Sequence, residues 1–311
     1  MAGYTKLHER GLLKERVEEA LALLESCSLC PRCCGVNRLD GETGKCRTGR
    51  RALVSSYGPH FGEEQPLVGS AGSGTIFFTN CNLECCFCQN YEISQMGEGH
   101  PIDSEGIAKM MLSLERRGCH NINFVSPTHV VPQLLEALNI AVQGGLSVPL
   151  VYNSGGYDSV ETLRILDGVI NIYMPDMKYG DQATAKRLSG IDDYPRINRE
   201  AVKEMHRQVG DLKTDAEGVA VSGLLVRHLV LPNRLAGTEA VCRLLSDEIS
   251  PDTYVNVMAQ YRPCYRANEF PELARPITSE EYAEAVDIAR SHGLWRLDRV
   301  EARLARIRWI E

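Results

Sequence analysis

Six short apolar runs alternating with stretches of helical spacing most narrow what this chain of 311 residues can fold into. The runs are GTIFFTN at 74–80, NINFV at 121–125, PLVYN at 149–153, VINIYM at 169–174, LLVRHLVL at 224–231 and TYVNVMA at 253–259. Runs that are apolar almost throughout belong to strands buried on both faces, as in a parallel sheet, rather than to half-solvated antiparallel strands. Between them, 104–118, 130–145, 159–166, 198–210 and 238–249 carry the helical repeat. The expected fold is therefore α/β, with a parallel sheet and helices outside it. An amphipathic helix is expected from Lys6 to Leu24, and Thr278 with Glu281 makes a capping-box start for a last helix reaching about His292. Gly190–Pro195 and the Asp215–Gly218 turn read as insertions between the fourth and fifth strands. The length allows one large barrel or two ordinary domains.

Composition removes other classes. Hydrophobic residues are 43% and charged residues 24%, ordinary globular values that exclude a disordered, collagenous or coiled-coil chain. With 34 Lys+Arg against 41 Asp+Glu the net charge is −7, so no overall field favours nucleic acid, and none is expected as a partner. The opening MAGYTKLHERGLLKER has no long apolar run, and nowhere is there an apolar stretch of the roughly 18 residues that a membrane helix requires. The expectation is a cytoplasmic protein with no membrane partner. In the tail from Leu294 to Glu311, Arg296, Arg299, Arg303, Arg306 and Arg308 alternate with Asp298, Glu301 and Leu304, reading as a solvated amphipathic face or a docking strip.

The 12 cysteines stand out against this background. In a reducing compartment they point to metal rather than disulfides. Cys27, Cys30, Cys33, Cys34 and Cys46 form one cluster, and Cys81, Cys85, Cys86 and Cys88 a second; Cys119, Cys242 and Cys264 stand alone and read as small buried apolar residues. The second cluster, CNLECCFCQN, places Cys81, Cys85 and Cys88 in a C-x3-C-x2-C pattern directly after the first strand. In α/β barrels, loops at the carboxyl ends of strands build the active site. Three thiolates can hold a [4Fe-4S] cubane by three irons and leave the fourth open for a ligand, whereas a fourth cysteine would close it. Recruiting Cys86 would instead give a closed four-cysteine zinc loop, for which adjacent Cys85 and Cys86 are poorly placed. In the first cluster, Cys27, Cys30, Cys34 and Cys46 give C-x2-C-x3-C-x11-C on a Pro/Gly knuckle, with Cys33 a competitor for one place. This second metal site fits zinc, a mononuclear iron or an auxiliary Fe-S cluster, and spacing does not choose among them.

The cysteine spacing, with Phe87 before the last cysteine and six α/β units around it, resembles the radical S-adenosylmethionine (SAM) superfamily. The wider run GSGTIFFTNCNLECCFCQNYEISQ, preceded by SLCPRCCGVNR and HFGEEQP, is similar to the branch described as pyruvate formate-lyase activating enzyme-like (PflX-type) iron–sulfur proteins. The likeness runs from about Cys27 to Pro263. It implies a partial (β/α)6 TIM-like barrel, a [4Fe-4S] cluster on Cys81, Cys85 and Cys88, and SAM chelated to the open iron. It also implies reductive cleavage of SAM to a 5′-deoxyadenosyl radical that abstracts a hydrogen atom, with a flavodoxin- or ferredoxin-type electron donor. The corresponding division is an N-terminal helix at 1–26, a Cys-rich metal-binding knuckle at 27–66, the radical SAM core at 67–277 and a helical extension at 278–311.

The ends of the strands supply the remaining expected cofactor contacts. Phe87, before the last cysteine of the loop, and Asn90, two residues after it, are cofactor contacts that the resemblance implies. After strand two, Ser126 and Thr128 stand where the superfamily carries a Gly-Gly-Glu type segment, from which this chain departs; a helix N-cap is the other reading. Asn153 and Ser154 end strand three in a polar-Gly turn similar to that of glycyl-radical activating enzymes. Asp176 and Lys178 end strand four and resemble their Asp-x-Lys motif; alternation puts both on one face, toward the methionyl group or a monovalent cation near Asp176. In strand five Arg227 is costly unless it points into a polar cavity, which suggests a cofactor carboxylate or ribose contact, while His228 faces the other way and reads as packing. Gln260 ends strand six.

Three functions follow. The first is a radical enzyme acting on a protein or peptide, activase-like or peptide-modifying; the second, one acting on a small-molecule metabolite. The third is a non-catalytic iron–sulfur electron carrier.

Overall fold

The computed structural model describes residues 3–300. Its strands are β1 (Ala52–His60), β2 (Ser73–Phe78), β3 (His100–Ile102), β4 (Ile122–Val125), β5 (Leu150–Ser154), β6 (Ile172–Pro175), β7 (Lys213–Thr214), β8 (Ala220–Leu229) and β9 (Tyr254–Met258). The six expected strands are β2, β4, β5, β6, β8 and β9, and each pairs with the next in parallel. Helices Ser104–Arg116, Val131–Gln143, Val160–Ile165, Tyr194–Val209 and Thr238–Leu244 fall in the five intervals between them. Phe77 of β2 and Met258 of β9, the first and last parallel strands, line one cavity with Val125 and Asn153, so the sheet curls around a shared interior. On its outer side β2 pairs instead with β1, antiparallel, so the barrel is partial.

Departures from the expected elements have local causes. The helix from Lys6 to Leu24 is two helices, Gly3–Glu9 and Leu12–Ala22, because Gly11 turns the chain at φ 76°, a conformation that glycine alone adopts without strain. Gly190–Pro195 is no insertion loop. Gly190 takes the left-handed conformation that ends helix Gln182–Ser189, and Pro195 sits in the first turn of Tyr194–Val209. Asp215–Gly218 turns β7 into β8, with the Asp215 carboxylate accepting from the Glu217 and Val219 amides. Residues 238–249 are α-helical to Leu244 and then widen into one π turn, Leu245–Ile249. The capping box forms as expected: Glu281 N–H donates to Thr278 Oγ1 at 3.2 Å and Thr278 N–H to the Glu281 carboxylate at 3.0 Å.

The first cysteine cluster lies in a segment without strand or helix, between Ala22 and Ala52, as its Pro/Gly content predicts. Arg296 donates to the Asp252 and Leu212 carbonyls, pinning the start of the arginine-rich tail; Arg303, Arg306 and Arg308 lie outside the described residues. Among the described residues, no helix is long and apolar enough to cross a membrane.

Candidate active site and metal centre

The cysteine loop leaves β2 through a strained backbone. Asn80 has φ 70°, which asparagine tolerates, but Glu84 has φ 116°, which places a Cβ-bearing residue in territory suited to glycine. Such strain persists only where the surroundings over-determine it, and it marks this loop as a built site. Leu83 N–H points at Cys81 Sγ (3.4 Å), and Cys88 Sγ and Ser94 Oγ are 3.0 Å apart. Burial pushes the Cys81 thiol up to about 12, partly opposed by the Leu83 amide, with Cys85 and Cys88 adding repulsion. Burial first and then Cys85 also raise Cys88. Three thiolates crowded in a dry loop repel one another unless a cationic group lies between them, which is what iron supplies. Cys86 stands apart: it is buried, its amide donates to the Leu188 carbonyl, and its own carbonyl accepts from Arg266 N–H.

Among the described residues, no three Cys, His, Asp or Glu side chains stand at the spacing of one metal ion. That geometry differs from what a cubane asks, because its three thiolates bind three different irons. Cys81, Cys85 and Cys88 supply three thiols from one loop, the number that would leave one iron of a cubane open.

Lys178 faces this loop. Its ammonium donates to Asp176 Oδ2 at 2.6 Å; burial disfavours the charge, but Asp176 and then Cys85 outweigh it and hold Lys178 above its usual range. Asp176 and Lys178 thus meet on one face at the end of β6, as alternation predicts.

Beside the loop opens a cavity of about 580 Å³, lined by Asn90, Asn153, Arg227, Asn256 and Gln260, together with Glu63 and Glu64 from the segment between β1 and β2. Arg227 points inward as expected, yet it already has partners. Its Nε and Nη2 grip Glu64 at 2.6 and 2.7 Å, and Nη2 also bonds Glu63. Nη1 reaches Asn153 Oδ1 at 3.4 Å. Burial alone would raise the Glu63 carboxyl, but hydrogen bonds and charge from His60 and Arg227 bring it down to about 2. The guanidinium is therefore neutralised by the protein, and a cofactor carboxylate arriving there would meet two carboxylates. The HFGEEQP acidic pair was missed as a site element; the signal was Arg227 itself, since an arginine inside an apolar strand requires a buried counter-ion.

Other expected contacts are likewise engaged within the protein. Thr128 Oγ1, Tyr152 OH and Ser154 Oγ all donate to buried Asp158, at 2.6, 3.0 and 2.6 Å. Phe87 is buried edge-on against Tyr179 and Tyr261. Ser126 turns the chain after β4 at φ 58°, its amide bonded to the Asn153 carbonyl. Gln260 directs its amide nitrogen to Met258 Sδ (3.1 Å), and its carbonyl accepts from Gln89 Nε2 at 2.8 Å, tying the end of β9 to the cysteine loop. His228 is buried between the Met177 carbonyl and Thr238 Oγ1, as expected of a packing residue.

In the first cluster Cys27, Cys30, Cys33, Cys34 and Cys46 line a common cavity with about 10 Å³ of free space. Cys27, Cys30 and Cys46 are each 7% exposed, whereas Cys34 is half-buried and Cys33 exposed. Burial raises Cys30 to about 12, with Cys46 and Cys27 adding repulsion.

Relatives place the chain. No family model matches it. An uncharacterized protein of Methanocaldococcus jannaschii, MJ0674, is 35% identical over 293 residues, which span 91% of this chain and 80% of that protein. The chain belongs to the family of MJ0674. Among solved structures, a radical SAM methyltransferase from Sphaerobacter thermophilus is similar at 15% identity and TM-score 0.48, covering 73% of this chain and 68% of that one. HydG, a maturase of the [FeFe]-hydrogenase, is similar at 12% identity and TM-score 0.49, covering 71% of this chain and 50% of that one, so the chain spans about half of HydG.

Proposed function

We propose that this member of the MJ0674 family is a radical SAM enzyme, with Cys81, Cys85 and Cys88 holding a [4Fe-4S] cluster. The observation that carries the reading is the strained C-x3-C-x2-C loop at the carboxyl end of the first parallel strand, set beside Lys178 and the cavity of about 580 Å³. When bound, the cluster and SAM supply an electron and a 5′-deoxyadenosyl radical able to take a hydrogen atom from a substrate. The chain's own residues have simpler tasks. The three thiols hold the metal, Asp176 and Lys178 present a paired charge to the polar end of SAM, and Asn90 and Asn153 offer neutral polar groups from the cavity wall. The (β/α)6 interior keeps bulk water and stray C–H bonds from the reacting centre.

Of the substrate classes, a protein or peptide is favoured by the rim next to the cluster loop. Tyr91 stacks on Tyr265 with ring centroids 5.4 Å apart, and Met96 is 62% exposed nearby in the chain, giving an apolar lip on which a polypeptide can rest. A glycyl-radical-activase-like or peptide-modifying role of the PflX type is consistent with Asp176 and Lys178. The test is to reconstitute the full chain anaerobically with iron and sulfide, reduce it with dithionite and assay 5′-deoxyadenosine. Formation of the nucleoside with methionine supports the enzyme; its absence from protein with a full complement of cluster iron supports the electron-carrier reading. Label transferred from substrate into 5′-deoxyadenosine, sought in a deuterated cell extract split into protein and metabolite fractions, decides the substrate class.

A further inference from the structure

The parallel sheet hands its hydrogen bonding to two side chains where β6 ends. Asp176 N–H donates to the Ser154 carbonyl of β5 at 2.9 Å, and Met177 N–H to the Arg227 carbonyl of β8 at 2.7 Å. The next amide, Lys178 N–H, has no strand beside it and donates instead to the Tyr194 hydroxyl at 3.0 Å. That hydroxyl lies 2.9 Å from the Gly155 carbonyl and 3.1 Å from the Asp176 carbonyl, between which its one proton is shared. Asn198, one turn further along the same helix, donates through Nδ2 to the Gly156 and Asp176 carbonyls, each at 2.9 Å.

The clamp is buried and closely fitted. Tyr194 is 0% and Asn198 2% exposed. The Tyr194 ring is stacked on Tyr157 with centroids 6.2 Å apart and meets Tyr179 edge-on at 5.4 Å, which fixes where its hydroxyl points. Gly156 has φ +73°, and a Cβ there would stand 2.1 Å from the Asp176 carbonyl oxygen and 2.2 Å from Asn198 Nδ2. A glycine is therefore needed for Asn198 to bridge the turns after β5 and β6.

We propose that Tyr194 and Asn198 are positioning residues that hold the Asp176–Lys178 pair in the geometry that receives the polar end of SAM. The inference rests on that role of the pair. The clamped atoms are the Asp176 carbonyl and the Lys178 amide, the backbone from which the two charged side chains project to meet at 2.6 Å. A charged pair that recognises a ligand by direction loses affinity when its backbone turns, even though both charges remain. Tyr194 and Asn198 thus set SAM affinity through the pair, while the cluster thiols are held independently on the loop after β2.

The test uses the full chain, reconstituted anaerobically with iron and sulfide. SAM affinity is measured by equilibrium dialysis, and cluster iron is counted in the same samples. Tyr194→Phe and Asn198→Leu should each weaken SAM about 10-fold at unchanged cluster iron. In a background carrying Asp176→Asn and Lys178→Met, the same changes should move SAM affinity by less than about 2-fold, because the pair through which they act is gone. A merely structural role would weaken SAM equally in both backgrounds and overturns the proposal. A second readout needs neither cluster nor SAM. In the metal-free chain Tyr194→Phe should abolish hydrogen-exchange protection at the Lys178 amide while the Met177 amide, held by Arg227, stays protected. Asn198→Leu keeps the affinity test open if Tyr194→Phe does not fold. Protein that carries the cluster yet binds no SAM overturns the radical SAM reading and this inference with it. Protein that binds SAM with the same affinity in both variants overturns this inference alone.

Discussion

Replacing Arg227 by Met removes the guanidinium that bonds Glu63 and Glu64, and leaves carboxylate side chains that are 5% and 1% exposed. Glu63 alone shows the scale. A carboxyl held at about 2 instead of 4.5 corresponds to about 3 kcal/mol of favourable interaction in its charged form, shared between the His60 hydrogen bond and Arg227, and Arg227 adds its bonds to Glu64. Breaking a buried ion pair by deleting one partner costs about 3–5 kcal/mol by general experience, in agreement. In a chain of this size that is a fall in Tm of roughly 6–10 °C. The pH dependence has a fixed sign. Because the folded carboxyl titrates below its ordinary value, the stability it contributes is complete above pH 4.5 and is lost as pH falls toward 2. The deficit of Arg227→Met should therefore be full at pH 7 and shrink on acidification through that window, as measured by thermal melts. Changing Glu63, Glu64 and Arg227 together to apolar residues should recover much of the loss. A single variant melting within about 2 °C of the parent at pH 7, or a deficit that grows on acidification, would refute the reasoning.

Further predictions concern stability at separate places. Asp158→Ala should cost at least about 3 kcal/mol by chemical denaturation, since it strands the hydroxyls of Thr128, Tyr152 and Ser154, while Asp158→Asn, which keeps an acceptor, should cost less. Gly223→Ala should lower Tm by the equivalent of more than about 1 kcal/mol, because its φ is +119° and a Cβ would stand 2.4 Å from the Asp211 carbonyl oxygen. Gly58→Ala, with nothing within 4 Å, should be neutral or slightly stabilising in the same melt. Thr278→Ala should cost about 1 kcal/mol by removing the cap of Ser279–Ser291.

The strands legible in the sequence were those whose burial on both faces left a continuous apolar record, from Ile76 and Phe78 in β2 to Val255 and Val257 in β9. Strand β1 was not. Its sequence ALVSSYGPH mixes Ser, Gly and Pro because it pairs antiparallel outside the parallel set, carries an irregularity between Val54 and Ser56 and is partly solvated. The break at Gly11 escaped because an apolar repeat passes through a left-handed turn without losing phase. At the site, one-face alternation correctly joined Asp176 to Lys178, a relation two residues long. The partners of Arg227 lie about 160 residues away along the chain, so only tertiary structure could reveal them. Thr128 and Ser154 were read as facing a ligand, but a polar residue at a strand end satisfies an internal carboxylate such as Asp158 equally well.

The central claim is that three thiols, and not four, serve the open cluster. The direct measurement is 5′-deoxyadenosine formed from SAM by anaerobically reconstituted, dithionite-reduced protein, compared across Cys81→Ala, Cys85→Ala, Cys86→Ala and Cys88→Ala. The account predicts that Cys86→Ala cleaves SAM like the parent while the other three form none. Loss of cleavage in folded Cys86→Ala, or its survival in Cys85→Ala, would contradict it.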